Sequence, residues 1–149
     1  MVKSLYDAVL LIDEMPLMAA GLQEVLRVIH PSVKVEYADN VFHVLSSPAY
    51  ENRSFDLIIL GSGDDHSPGS LLLPAAELKE RFPGTPIMIF TDRYDPTLID
   101  KIGQGTIAAC VHKHEMPEEI HKAWAQLKAG GSYLSPMLYS LYSIYRLNR

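Results

Sequence analysis

Short apolar runs alternate with amphipathic segments five times along the chain, and that alternation leaves few ways to fold it. Val9–Ile12, Leu57–Leu60 and Ile87–Phe90 are continuous and in part β-branched or aromatic, as expected of strands buried on both faces of a parallel sheet. Val33–Tyr37 differs, because Val33, Val35 and Tyr37 alternate with Lys34 and Glu36; this pattern predicts a half-covered strand at an edge. Ile107–Val111, diluted by two alanines, makes the fifth run.

The helices between them are punctuated. Met18, Leu22, Val25, Leu26 and Ile29 keep a 3.6-residue period after Pro16, and His30-Pro31 ends that helix because a proline disfavours helical geometry in the residue before it. A short second helix near Val41–Leu45 ends by Pro48, and a third runs from about Pro74 to the turn Phe82-Pro83-Gly84. Asp95-Pro96 starts a fourth, with Leu98, Ile99 and Ile102 inward and Gly103 and Gly105 closing it. Pro117 opens a fifth, in which Ile120, Ala123, Trp124 and Leu127 form the buried stripe and Gly130-Gly131 the stop. Parallel strands need right-handed crossovers, so five such units predict an α/β doubly wound parallel sheet. The half-exposed second strand favours the flavodoxin-like (βα)5 order 2-1-3-4-5, whose working crevice lies at the carboxyl ends of strands one and three.

Composition narrows the function. The 149 residues make one ordinary globular domain, and its 13 Lys+Arg against 18 Asp+Glu leave a net charge of −5 without a basic stretch to hold a phosphate backbone. A lone cysteine, Cys110, and the absence of a charged-then-apolar leader over Met1–Leu10 predict a reducing, cytoplasmic setting. The apolar runs fall far short of the ~20 residues that cross a bilayer, so no membrane partner is expected.

At the carboxyl edge, strand one ends in Asp13-Glu14, strand four in Thr91-Asp92 and strand five in His112-Lys113. Two acids facing an ammonium and a hydroxyl suit Mg²⁺ and a phosphoryl group, although any one of these residues alone is ordinary at a strand end.

Over about Ala8–Pro136 the sequence resembles the receiver domains of bacterial two-component response regulators, of the NarL/LuxR type. Ala8-Val-Leu-Leu-Ile-Asp13-Glu14-Met-Pro16-Leu17 with Gly21-Leu22, Asp56-Leu-Ile-Ile-Leu60, Pro86-Ile-Met-Ile-Phe-Thr91, Val111-His-Lys113 with Pro117-Glu-Glu119, and Gly130-Gly-Ser-Tyr-Leu-Ser-Pro136 carry the likeness in order. It implies Asp13 and Glu14 as metal-binding acids, Thr91 as phosphoryl donor and switch residue, and Lys113 as phosphate counter-charge. Where the family places its phospho-accepting aspartate this chain has Gly61, so the nucleophile and one metal ligand are missing. The family's switch aromatic is replaced by Cys110. The resemblance therefore implies a pseudo-receiver, a regulatory module and not an enzyme, that requires no cofactor and holds Mg²⁺ weakly at best through Asp13 and Glu14. Lys113, relieved of its third acid, is expected to pair with Asp13 or Glu14.

Two other readings stand beside it. Asp64 or Asp65, in the loop Gly61–Gly69, could serve as a displaced acceptor in a working phosphorelay, or the crevice could take a small molecule. Cys110, His112 and His114 alternate as zinc ligands might, Ile107–Val111 with Glu118–Trp124 faintly suggests a helix-turn-helix, and Trp124 could be a stacking platform; a polar strand end, a β-α unit and a core tryptophan explain the same residues better. The sequence divides into a receiver-like domain at 1–131 and a linker with an amphipathic helix at 132–149, where Leu138, Leu141, Tyr142 and Tyr145 recur at helical spacing. The implied partners are a second copy of the chain and a sensor kinase or other regulatory protein, with DNA reached only through a C-terminal helix-turn-helix domain that these residues do not contain.

Overall fold

In the computed structural model, residues 7–148 are described; residues 1–6 of the first expected domain and residue 149 of the expected C-terminal segment lie outside the described residues. Six parallel strands form one sheet in the order β2-β1-β3-β4-β5-β6. They are β1 (Ala8–Ile12), β2 (Lys34–Ala38), β3 (Leu57–Gly61), β4 (Ile87–Thr91), β5 (Ala109–His112) and β6 (Tyr133–Leu134). The flavodoxin-like order is as expected, with one strand added beyond β5.

Side chains alternate across the sheet with the two-residue strand period. Val9, Leu11, Leu57, Ile59, Met88, Phe90, Ala109 and Val111 face α1 (Pro16–Ile29) and α5 (Glu118–Lys128), where Leu22, Leu26, Ile120, Ala123 and Trp124 meet them. Leu10, Ile12, Ile58, Leu60, Ile87, Ile89 and Cys110 face the other side, covered by α2 (Val41–Ser46), α3 (Leu72–Arg81), α4 (Pro96–Ile99) and α6 (Pro136–Leu147). Trp124 is a core residue. β2, the predicted edge, is only partly covered.

Several boundaries differ from the sequence reading for identifiable reasons. α3 starts two residues before Pro74, because a first-turn proline lacks only an N–H that has no intrahelical partner there. α4 is a single turn capped by Asp95; Ile102, expected on its inner face, instead forms an isolated bridge with Ile107 after Gly103 turns at φ +82°. That bridge removes Ile107 from β5, which starts at Ala109. Ile107–Val111 thus enters a bridge and a strand, which dismisses the helix-turn-helix reading. β6 has no sequence signal, being two residues long. It pairs Tyr133 with Ala109 and Leu134 with Cys110, and it leads into α6, whose Leu138 is buried against the sheet. Among the described residues no helix is long and apolar enough to cross a membrane.

Candidate functional site

β1 and β3 pair in register with Ile12 opposite Leu60, which places Asp13 and Gly61 side by side where the two strands emerge. The Asp13 backbone is fixed from both sides: its N–H donates to the Ala38 carbonyl at 3.1 Å, and its own carbonyl accepts from the Tyr37 hydroxyl at 2.7 Å. Its Oδ1 accepts from the Met15 N–H at 2.8 Å, and its Oδ2 turns over Gly61. A Cβ at position 61 would overlap that oxygen and stand 2.7 Å from the Asp13 Cγ. The Asp13 carboxylate therefore occupies the space in which a side chain at position 61 would begin. Gly63 repeats the relation with Glu14, whose Oε2 lies 2.8 Å from a Cβ built there. The spacing Gly61-Ser62-Gly63 matches Asp13-Glu14 across the strand ends: each glycine makes room for one acid.

Lys113 reaches the same place from the end of β5. Its Nζ lies 3.6 Å from Asp13 Oδ2, with the two side chains 2% and 1% exposed. The pair forms with Asp13 and not with Glu14, which is exposed. Neither Lys113 Nζ nor Asp13 Oδ2 has a hydrogen-bond partner among the described residues. The ammonium also sits 5.7 Å from the centre of the Phe90 ring. Two opposite charges are thus enclosed against each other, and taking away either one would strand the other in a medium that solvates it poorly.

The loops around this pair are stitched together. Ser62 donates its hydroxyl to Asp92 Oδ1 at 3.2 Å, and the Gly69 N–H donates to Asp95 Oδ2 at 2.8 Å. Arg93 donates to the Asp65 carbonyl and contacts His66 Nδ1. The Thr91 hydroxyl is folded back on Arg93, donating to its carbonyl and accepting from its N–H, both at 3.2 Å. The sequence reading put Asp92 at the end of the fourth strand and Asp95 at the start of the fourth helix, but the pairings of Ser62, Asp92, Arg93 and Asp95 were not foreseen, because pairing between two loops leaves no periodic signal.

Asp64 and Asp65 are exposed. The Asp65 carboxylate closes a local turn by accepting from the Ser67 N–H at 2.9 Å, and that bond holds its pKa below the ordinary carboxylate value. Together with Asp13, Glu14 and Asp39, both border an acid-lined crevice of about 220 Å³. A receiver-type Mg²⁺ site needs several carboxylate oxygens converging on one point. Here Asp13 is turned to Lys113 and Gly61 brings no side chain, so the residues do not fit that ion. Among the described residues no three His, Cys, Asp or Glu side chains converge on a common metal position, zinc included. Cys110 is buried on the α6 side of the sheet, and burial pushes its thiol pKa far up. His112 Nδ1 accepts from the His114 N–H at 3.1 Å, and burial lowers the pKa of the His112 ring.

No protein-family model matches the sequence, and no curated protein matches it. Solved structures do. The isolated receiver domain of RcsB from Salmonella enterica serovar Typhimurium, with a phosphomimetic beryllofluoride, superposes with a TM-score of 0.70 at 21% identity over 91% of this chain and 98% of that one. A LuxR-family two-component response regulator from Aurantimonas sp. SI85-9A1 gives 0.77 at 18% identity over 94% and 97%. A structure of two RcsB dimers bound to two parallel DNAs gives 0.73 at 20% identity, covering 93% of this chain and 68% of that one. The chain has the fold of the receiver domains of LuxR-family response regulators.

Proposed function

We propose that this chain is a receiver-like regulatory module of a LuxR-type two-component response regulator, that it works without aspartyl phosphorylation, and that it signals by contact with protein partners. The observation that carries this reading is the Asp13 carboxylate lying across Gly61 and paired with Lys113. Phosphoryl transfer in a receiver needs an acid in line with the phosphorus and a lysine free to meet the phosphoryl oxygens. In this chain position 61 offers no acid, and Lys113 is already engaged by an internal carboxylate. Thr91, bonded to the Arg93 backbone, is likewise occupied. The module is thereby held in one arrangement, with no place for Mg²⁺ in its working.

Output then runs through surfaces. Leu17 and Val28 on α1 and Met116 just before α5 are exposed around apolar hollows between the two helices, while on the opposite face of the sheet α6 packs over β5 and α4. We assign the α1/α5 face to a homodimer, and any DNA contact to a further domain. Incubation with acetyl phosphate and Mg²⁺ followed by intact-mass measurement tests the phosphorylation reading: an unchanged mass is expected. A phosphate recovered on Asp64 or Asp65 would replace this proposal with a displaced-acceptor phosphorelay. Sedimentation over a range of concentrations tests the dimer, which Leu17→Glu should dissociate.

A further inference from the structure

α6 begins without a side-chain cap of its own. The hydroxyl of Ser135, its N-cap residue, bonds no amide of the helix and instead accepts from the His112 N–H at 3.2 Å. The Met137 N–H, in the first turn, donates to Glu115 Oε1 at 2.6 Å, so a residue of the β5–α5 loop does the capping. Glu115 is held for this by a turn over residues 112–115 that two bonds close. Its own N–H donates to the His112 carbonyl at 3.0 Å, and the His114 N–H donates to His112 Nδ1 at 3.1 Å. The second bond needs a neutral imidazole with its proton on Nε2, because a protonated ring has two donors and no acceptor.

His112 is buried, and the two-residue strand period puts it on the Cys110 side of the sheet, under α4 and α6. The titratable groups facing its ring are His114 and Glu115 in the same turn and Asp92 after β4. From α4, Asp95 is committed to the Gly69 N–H and Asp100 to the Tyr142 hydroxyl; from α6, Arg146 donates to that hydroxyl. Glu119 of α5 is engaged by Tyr133 and Lys122. Burial and the His114 ring outweigh the pull of Glu115 and Asp92, so the enclosed ring resists a proton.

We propose that His112 is a pH-operated catch on α6: a proton on its Nδ1 sets two N–H donors against each other, opens the 112–115 turn, withdraws Glu115 from the Met137 N–H and loosens the start of α6 from β5 and α4. In the released arrangement the ring is hydrated and takes up its proton near the ordinary histidine value. Release is therefore disfavoured above about pH 6.5 and sets in below it. The catch works whether or not position 61 is inert and whether or not the chain dimerises.

The test follows the His112 ring and amide exchange by NMR on the full chain from about pH 7.5 to about pH 5, with exchange rates corrected for their intrinsic pH dependence. At the upper end the ring should be neutral and protonated on Nε2. As it titrates, the opening constants of the His114, Met137 and Tyr139 amides should rise with the same midpoint, by up to roughly tenfold per pH unit, the limit for one linked proton. They should exceed those of the β1 and β3 amides throughout, as local opening requires. His112→Asn, whose side-chain oxygen replaces Nδ1 as acceptor without titrating, should keep the three amides protected across the range. Glu115→Gln retains the Oε1 acceptor and should retain the pH dependence, which assigns the proton to the ring. A ring titrating apart from Met137 and Tyr139, an equal loss of protection in folded His112→Asn, pH independence in Glu115→Gln, or α6 opening only together with β1 and β3 would each overturn the catch. If His112→Asn does not fold, the shared midpoint in the parent chain still decides.

Discussion

Replacing Gly61 by alanine is the smallest change that asks whether Asp13 lies where the structure places it. Gly61 does not adopt a left-handed φ, so its backbone accommodates alanine, and at a compatible position a glycine-to-alanine change stabilises by about 0.4–1 kcal/mol through the unfolded chain. Here the added methyl would overlap Asp13 Oδ2. The carboxylate has to leave, which costs its bond from the Met15 N–H and leaves Lys113, 2% exposed, without its counter-charge. Breaking a buried pair by displacing one partner costs about 3–5 kcal/mol; since this pair is loose, the low end applies. Less the gain from the unfolded state, Gly61→Ala should lose about 2–3 kcal/mol, a fall of roughly 4–12 °C in Tm for a domain of this size. Gly63→Ala is the control: it meets only the flexible, exposed end of Glu14 and should stay within about 0.5 kcal/mol. In an Asp13→Ala background the overlap is gone, so Gly61→Ala should become neutral or stabilising, a coupling that a double-mutant cycle in urea measures directly. Equal Tm values for Gly61→Ala and the parent, or effects that simply add across the cycle, would refute the placement of Asp13 and the lock built on it.

Other perturbations read other parts of the molecule. Leu138→Ala, in the buried anchor of α6, should cost about 2–5 kcal/mol, whereas Leu141→Ala on the exposed side should change stability by less than about 0.5 kcal/mol, both by urea denaturation. His30 and His112 have pKa values lowered chiefly by burial, with Lys128 and His121 adding to the effect at His30 and His114 at His112. The unfolded chain therefore binds more protons than the fold as pH drops below about 6.5, so Tm should decline from pH 7 toward pH 5, and less steeply in His30→Asn or His112→Asn. Cys110, buried and with its thiol pKa raised, should react with an aromatic disulfide reagent only after denaturation.

The sheet was legible in the sequence because each central strand is a continuous apolar run and β2 alternates, and those patterns follow directly from burial on two faces or one. Asp13, Thr91 and Lys113 could be placed at the crevice for the same reason, since they follow recognisable strands, whereas Gly61 was picked out only by the resemblance. What stayed hidden was relational. Nothing in the string Gly61-Ser62-Gly63 says that Asp13 and Glu14 lie over its two glycines, because the match runs across a strand pair nearly fifty residues apart. The loop stitching by Ser62, Asp92, Arg93 and Asp95 escaped notice for the same cause. β6 and the shortened α4 depend on one bridge and one two-residue pairing, too small to leave a period.

The seat taken by Asp13 sets a condition on anyone hoping to switch this module back on. Writing an aspartate into position 61 supplies a third acid on paper, yet the newcomer collides with a resident that has already claimed the lysine. Reactivation is consequently a problem of at least two coordinated edits, one to install the acceptor and one to evict its tenant.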